Sequence, residues 1–408
     1  MANKNGGFIG TDGLDAPDPP TAVTPTGSNA SLSIAFTAPT NTGTSDITGF
    51  VAQVSTDGTN YSAGSGTGSS SPITVSSLTN GTSYTAKVWA INAYGTSAPS
   101  DASSGVAPIA PTRGVFAFGG FNAMNTMEYF QINSGGEDAS DFGDLSSNRT
   151  FYSFACSSST RGIFGGGQDG SNNYKETMDY ITIASTGNAT DFGDFKTAST
   201  NTGNNGTASY QGAACSNSTR GIIARGVTKS GTNGVNDIDY ITIANTGNSQ
   251  DFGDLSQTVQ YAGALSSTTR GIIFPGTGFD NAEYVTISST GNATDFGAYN
   301  IAAGGGSSGA SSNTRGLFIP GQRTTIRYCT IASTGGFLAF GDLTQICQAA
   351  GFTSDGITAV RCGGYNGSAT VNIMDSFTIA TLGDATDFGD LSATTYGGAA
   401  CSDSHGGL

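Results

Sequence analysis

The chain has 408 residues, a formal charge of −15 and a pI near 4.2, which disfavours nucleic acid and anionic lipid headgroups as partners. With 62 glycines and only 11% charged residues, it reads as many short strands joined by small polar turns, and no stretch carries a sustained helical period. No apolar run reaches membrane-spanning length, and Met1 to Gly7 lacks a basic stretch followed by an apolar core, so neither signal-peptide secretion nor a membrane anchor is expected.

Residues 1–18 carry isolated Phe8, Ile9 and Leu14 among Gly, Asp and Pro, too few to build a core, and are expected to be an anchoring tail. From 19 to 108 the apolar runs alternate: Leu32-Ser33-Ile34-Ala35-Phe36, Ile47 to Val54, Ile73-Thr74-Val75 and Tyr84 to Ile91. Gly, Pro and Asn turns separate them, the pattern of a β-sandwich. The segment Leu78 to Ser97, with Tyr84, Val88 and Trp89, resembles the tyrosine-corner strand of fibronectin type III domains. The resemblance implies that Leu78 and Val88 face the core and that the Tyr84 hydroxyl bonds backbone upstream. Phe36 stands where that family usually has a tryptophan. Such domains serve as spacers or binders, and a spacer is expected here.

Residues 109–408 repeat. Thr-Arg-Gly followed by an apolar run recurs at Arg113, Arg161, Arg220, Arg270 and Arg315, at spacings of 48, 59, 50 and 45, and a diverged sixth copy begins near Ile357. Each copy continues into a strand such as Asp179 to Ala184 and then into Asp-Phe-Gly. A period near 50 with four short strands is that of a propeller blade. The order of a small-residue strand, a strand ending in Gly-Gly as at Gly165-Gly166, a tyrosine strand and a strand with a bulky aromatic resembles kelch repeats. Phe142, Phe192, Phe252, Phe296, Phe340 and Phe388 replace the kelch tryptophan. Blade 1 begins without its innermost strand, while the chain ends with a surplus one, Tyr396 to Cys401. Pairing of the two would close a six-bladed ring. The expected fold is therefore all-β, a fibronectin type III sandwich followed by a six-bladed kelch-like propeller closed by the C-terminal strand.

The chemistry-bearing residues mostly fall on repeated positions. Cys156, Cys215 and Cys401 occupy a small-residue slot on the inner strand, Cys329 and Cys362 lie inside strands and Cys347 begins one, so all six are expected as free, buried thiols. Asp-Phe-Gly lacks every other kinase element. Asp191 and Asp194, with Asn188, could ligate calcium, but are expected instead to bond turn amides or pair with the Thr-Arg-Gly arginines. His405 has no nucleophile signature beside it. Glu137, Asp169, Glu176, Asp280 and Glu283 could support glycoside hydrolysis, yet no catalytic residue, metal or cofactor is expected.

In a four-stranded meander one loop set is monotonous here, as at Ser157-Ser158-Ser159-Thr160. The other varies, as at Gln168 to Thr177, Lys196 to Ser209 and Val227 to Asp237. Variation of one loop set marks a binding face, with Asn173, Tyr174, Lys175, Asn204, Tyr210 and Phe279 as the candidate contacts.

The opening Gly6-Gly7-Phe8-Ile9-Gly10-Thr11-Asp12-Gly13 and repeats such as Asp179 to Asp194 resemble virion structural proteins of marine tailed phages, notably cyanophages. That resemblance implies assembly in the host cytoplasm and oligomeric display on the virion surface. Attachment would run through the tail and the fibronectin domain to other virion proteins, with a host-surface glycan or protein as the possible ligand. Capsid decoration, a head fibre or a glycan-cleaving propeller are the alternatives.

Overall fold

In a computed structural model, residues 15–120, 124–169, 171, 173–196, 211–227, 234–276, 278–299, 301 and 305–404 are described. The chain divides into two compact units, Met1–Pro111 and Thr112–Leu408.

The first unit is a two-sheet sandwich. Thr21–Ser28, Ser31–Thr37 and Ile73–Ser76 form one sheet; Gly64–Gly68, Ile47–Ser55, Thr85–Asn92 and Gly95–Thr96 form the other. Period-two alternation drives this, since Leu32, Ile34, Val54, Val75 and Val88 are completely buried between the sheets. Leu78 is 5% exposed, and the Tyr84 hydroxyl accepts a hydrogen bond from Thr79 N at 3.1 Å, which completes the expected corner. Phe36 packs on Phe50 with ring centroids 4.8 Å apart, filling the tryptophan place. The sandwich begins earlier than expected. Ala16 is buried, and Asp15 O accepts from Thr44 N at 3.1 Å and from Asn92 Nδ2 at 3.0 Å, so residues 15–18 belong to the fold and not to a tail.

Among the described residues the second unit holds six four-stranded antiparallel repeats, numbered here as sheets 1 to 6 in chain order. Sheet 3, with Ala213–Ser216, Arg220–Ala224, Asp237–Thr242 and Gln250–Asp254 in spatial order, is representative. The C-terminal strand Ala399–Ser402 pairs antiparallel with Arg113–Ala117, the expected pairing, and becomes the end strand of sheet 1. One long strand, Ser140–Ser157, was not foreseen. It pairs at its start with Met124–Gln131 of sheet 1 and at its end with Arg161–Gln168 of sheet 2, joining the two.

One end strand of each of the six sheets carries a serine, and these serines are bonded in a circuit. Ser157 Oγ donates to Ser402 O at 2.7 Å, Ser402 Oγ to Ser354 O at 2.6 Å and Ser354 Oγ to Ser311 O at 2.7 Å. Ser311 Oγ donates to Ser266 O at 2.6 Å, Ser266 Oγ to Ser216 O at 2.7 Å and Ser216 Oγ to Ser157 O at 2.8 Å, returning to the start. All six serines are buried, so each hydroxyl satisfies a carbonyl of a buried residue. The side chain before each serine packs sideways onto the next sheet. A Cβ on Gly221 would lie 2.7 Å from Cys156 Sγ, and one on Gly162 would lie 2.6 Å from Cys401 Sγ, so the glycine of Thr-Arg-Gly leaves room for its neighbour's thiol.

Asp-Phe-Gly-Asp is the seam between sheets. Phe192 O accepts from Gly247 N at 2.7 Å, Asp194 O from Ser249 N at 2.9 Å, and Asp194 N donates to Asn248 Oδ1 at 3.0 Å. Gly193 sits at φ +141°, where a Cβ would meet Gly247 O at 2.4 Å, so no other residue fits. The closing seam repeats the pattern, with Ala139 N donating to Asp390 O at 2.9 Å and Asp390 N to Asp138 Oδ1 at 3.0 Å.

The Thr-Arg-Gly arginines do not pair with Asp191 or Asp194 as expected. The Arg161 guanidinium lies 4.3 Å over the Tyr180 ring and donates to Ile243 O of the next sheet at 2.9 Å. Burying the ring beneath a cation that also satisfies a carbonyl is worth more than an exposed carboxylate pair. Cys347 ends the strand Leu338–Cys347 and does not begin one.

Candidate functional site

The variable hairpin of sheet 2 is cinched by one carboxylate. Asp169 Oδ1 accepts from Ser171 N and Asn173 N, both at 2.9 Å, Asn173 Nδ2 reaches Oδ2 at 3.1 Å, and Lys175 Nζ stands 3.8 Å from Oδ2. The bonds from Asn173 hold the Asp169 carboxyl below the usual carboxylate range. Asn173 is thereby brought together with Tyr174 and Lys175 beside Asp169, where Tyr174 makes a bridge to Gln168 and is half-buried. Phe279 lies apart in the hairpin of sheet 4, half-buried, its carbonyl accepting the Tyr299 hydroxyl at 2.6 Å. Asn204, Tyr210 and His405 fall outside the described residues.

Three of the candidate glycosidase acids accept hydrogen bonds from nearby groups. Glu283 is 3% exposed and accepts from Ser256 N and Oγ at 2.9 Å, and Glu137 accepts from Gln131 N. Asp169 is committed to its hairpin. Of the calcium candidates, Asn188 is engaged, its Oδ1 accepting Asp144 N at 3.0 Å, and burial with the neighbouring Glu176 and Asp191 raises the Asp194 carboxyl. Among the described residues no group of three or more His, Cys, Asp or Glu is placed to hold a metal ion.

A recess at one end of the serine-bearing strands was missed by sequence reasoning. Gln211, Tyr261 and Ala349 hold left-handed φ values of 62°, 60° and 53° just before their serine-bearing strands, where other sheets have Gly306 and Gly397. The recess, about 60 Å³, is lined by Gln211, Tyr261 and Ser307; among the described residues Gln211 Oε1 and Ser307 Oγ are buried without partners. The spacing of Gln and Tyr before small-residue runs is the signal that could have found it.

All six cysteines are free and buried. Burial pushes the Cys215 and Cys329 thiols up to about 12 and Cys347 to about 11, and raises the other three as well. Because the thiolate is the nucleophile, native protein at pH 8 should give no reaction with Ellman's reagent, and all six thiols should react after denaturation. A fast native thiol would contradict this packing.

Residues 15–106 match the family model of the fibronectin type III domain. Among solved structures, the crystal structure of domains A168-A170 from titin is similar at 31% identity, with a TM-score of 0.22, over 24% of this chain and 33% of that one. The chain thus spans about a third of that titin structure. No curated protein matches it. The corner at Tyr84, the two-sheet core and the family match agree: residues 15–106 are a fibronectin type III domain.

Proposed function

We propose that the chain is a non-enzymatic surface protein of a tailed-phage virion, in which the second unit is a six-bladed, kelch-like β-propeller used for attachment to a host surface. The propeller reading is supported by the serine circuit and the C-terminal strand on Arg113–Ala117. The fibronectin domain acts as a spacer. The phage assignment is supported by the resemblance of the opening segment and the repeats to marine phage virion proteins.

The observation that carries attachment is the contrast between the loop sets. The Asp-Phe-Gly strands and the Ser-Thr-Gly-Asn turns are consumed by the seams between sheets, whereas the carboxylate of Asp169 ties Asn173 and Lys175, with Tyr174 between them, into one turn of the variable loop set. A rigid turn carrying Tyr and Lys loses little entropy on binding.

Purified protein should bind host cells saturably, and replacing Tyr174 and Lys175 with alanine should weaken binding about tenfold at unchanged melting temperature. Tight capsid binding without cell binding, together with immunogold label on heads alone, would replace attachment by capsid decoration. Release of sugar from host polysaccharide would replace it by glycan cleavage.

A further inference from the structure

In sheets 1 to 5 an arginine guanidinium lies 4.2–4.7 Å over a tyrosine ring, in the pairs Arg113–Tyr129, Arg161–Tyr180, Arg220–Tyr240, Arg270–Tyr284 and Arg315–Tyr328. Each tyrosine meets the Phe-Gly phenylalanine of its sheet, in Asp-Phe-Gly or, for Phe340, Ala-Phe-Gly, edge-on at 6.2–6.3 Å. The guanidinium then donates to a backbone carbonyl of the following sheet, as Arg220 Nη1 does to Ile287 O at 2.9 Å.

Sheet 6 lacks both parts. By register, Thr358 opposite Thr378 takes the place of Arg220 opposite Thr242, and Ser376 opposite Val360 takes the place of Tyr240 opposite Ile222. A cleft of about 370 Å³ opens there, lined by Thr358, Ser376, Leu382, Asp384 and Phe388 and reaching Ile132 of sheet 1. The groove of sheet 3, with Tyr240 in place, measures about 200 Å³.

The cleft does not depend on a stack to stay open. The seam between sheets 6 and 1 is held by Asp390 on Asp138, by Ser392 N on Glu128 Oε2 at 3.1 Å and by Thr112 Oγ1 on Asp355 Oδ2 at 3.0 Å. Leu382 in its wall is 59% exposed.

We propose that this cleft docks a partner polypeptide presenting an arginine beside an aromatic ring, which completes in trans the stack that the other five sheets make in cis. The five filled grooves define the occupant's chemistry: a ring edge-on to Phe388 and a guanidinium above it, directed at the backbone of sheet 1. Charge agrees, because Asp384 lines the cleft, Asp355 stands at the turn before Thr358 and the chain carries a net −15. The inference goes beyond attachment and holds wherever the protein is displayed.

The test titrates the full chain with the dipeptide N-acetyl-arginyl-tyrosine amide, and with N-acetyl-glycyl-glycine amide as comparison, by calorimetry. Weak, saturable binding of the first alone is expected. The double variant Thr358→Arg, Ser376→Tyr should fill the groove from within, raise the melting temperature and lose the dipeptide. Should that variant fold poorly, Leu382→Lys decides, since a cation on an exposed wall leaves the fold intact and should weaken binding about tenfold. No saturable binding, equal binding of the glycine dipeptide, or full affinity in the correctly folded variants would overturn the proposal.

Discussion

Ending the chain at Gly398 should lower the melting transition of the second unit by roughly 10–20 °C or abolish its cooperativity, with the fibronectin domain's transition unchanged. The deleted strand supplies the ladder from Ala399 opposite Ala117 to Ser402 opposite Gly114. It also carries two links of the serine circuit, Ser157 to Ser402 and Ser402 to Ser354, and Asp403 Oδ1 accepts from Arg113 N at 2.9 Å. Each bond is worth about 0.5–1.5 kcal/mol net, and Arg113–Ala117 would be left with a bare edge beside an emptied Cys401 slot. The sum approaches the whole stability of an ordinary domain, about 5–15 kcal/mol. At about 2–4 °C per kcal/mol for chains of this size the shift is large. Differential scanning calorimetry of the full and shortened chains reads both transitions. A synthetic peptide of residues 396–408 should restore part of the loss, and an unshifted transition would show that the C-terminal strand does not hold sheet 1 together.

The parts legible in the sequence were those written in local, repeated spacing. Tyr84 six residues after Leu78 announced the corner, and the recurrence of Thr-Arg-Gly and Asp-Phe-Gly announced six strand sets and a surplus terminal strand. What each motif does was not legible, because its partners lie one repeat away. Ser157 looked like the first of several interchangeable turn serines, yet its hydroxyl bonds Ser402 O, 245 residues distant. Arg161 looked like a partner for Asp191 because opposite charge is the obvious pairing, whereas its bond is to Ile243 O. The lower edge of the sandwich was misplaced for a similar reason: Asp15 is held by the backbone of Thr44 and the side chain of Asn92, contacts with no periodic trace. Of the candidate contacts, adjacency in sequence foresaw that Asn173, Tyr174 and Lys175 share one turn. It could not foresee that Asp169 orders them, or that Phe279 lies in another sheet.

Replacing Asp375 with leucine should cost about 3–5 kcal/mol. Arg361 and Asp375 are both completely buried, with Arg361 Nε 3.1 Å and Nη2 2.5 Å from Asp375 Oδ2. Arg361 Nη1 donates to Gly363 O at 2.7 Å, and Thr344 Oγ1 of the preceding sheet donates to Asp375 Oδ1 at 2.6 Å. Without the carboxylate the guanidinium stays charged, because it does not deprotonate in proteins, and one carbonyl cannot offset its lost hydration. Leucine also strands the Thr344 hydroxyl. The double variant Arg361→Met, Asp375→Leu removes both charges and should recover most of the loss, since a buried pair contributes mainly by not being broken. As a contrast, Asp251→Asn breaks the contact of Lys196 Nζ with a carboxylate that is 66% exposed, and should change stability by less than about 1 kcal/mol. Denaturant melts of the three variants read the difference directly. If Asp375→Leu were as mild as Asp251→Asn, water would have to reach Arg361, and the tight packing of sheet 6 against sheet 5 would be wrong.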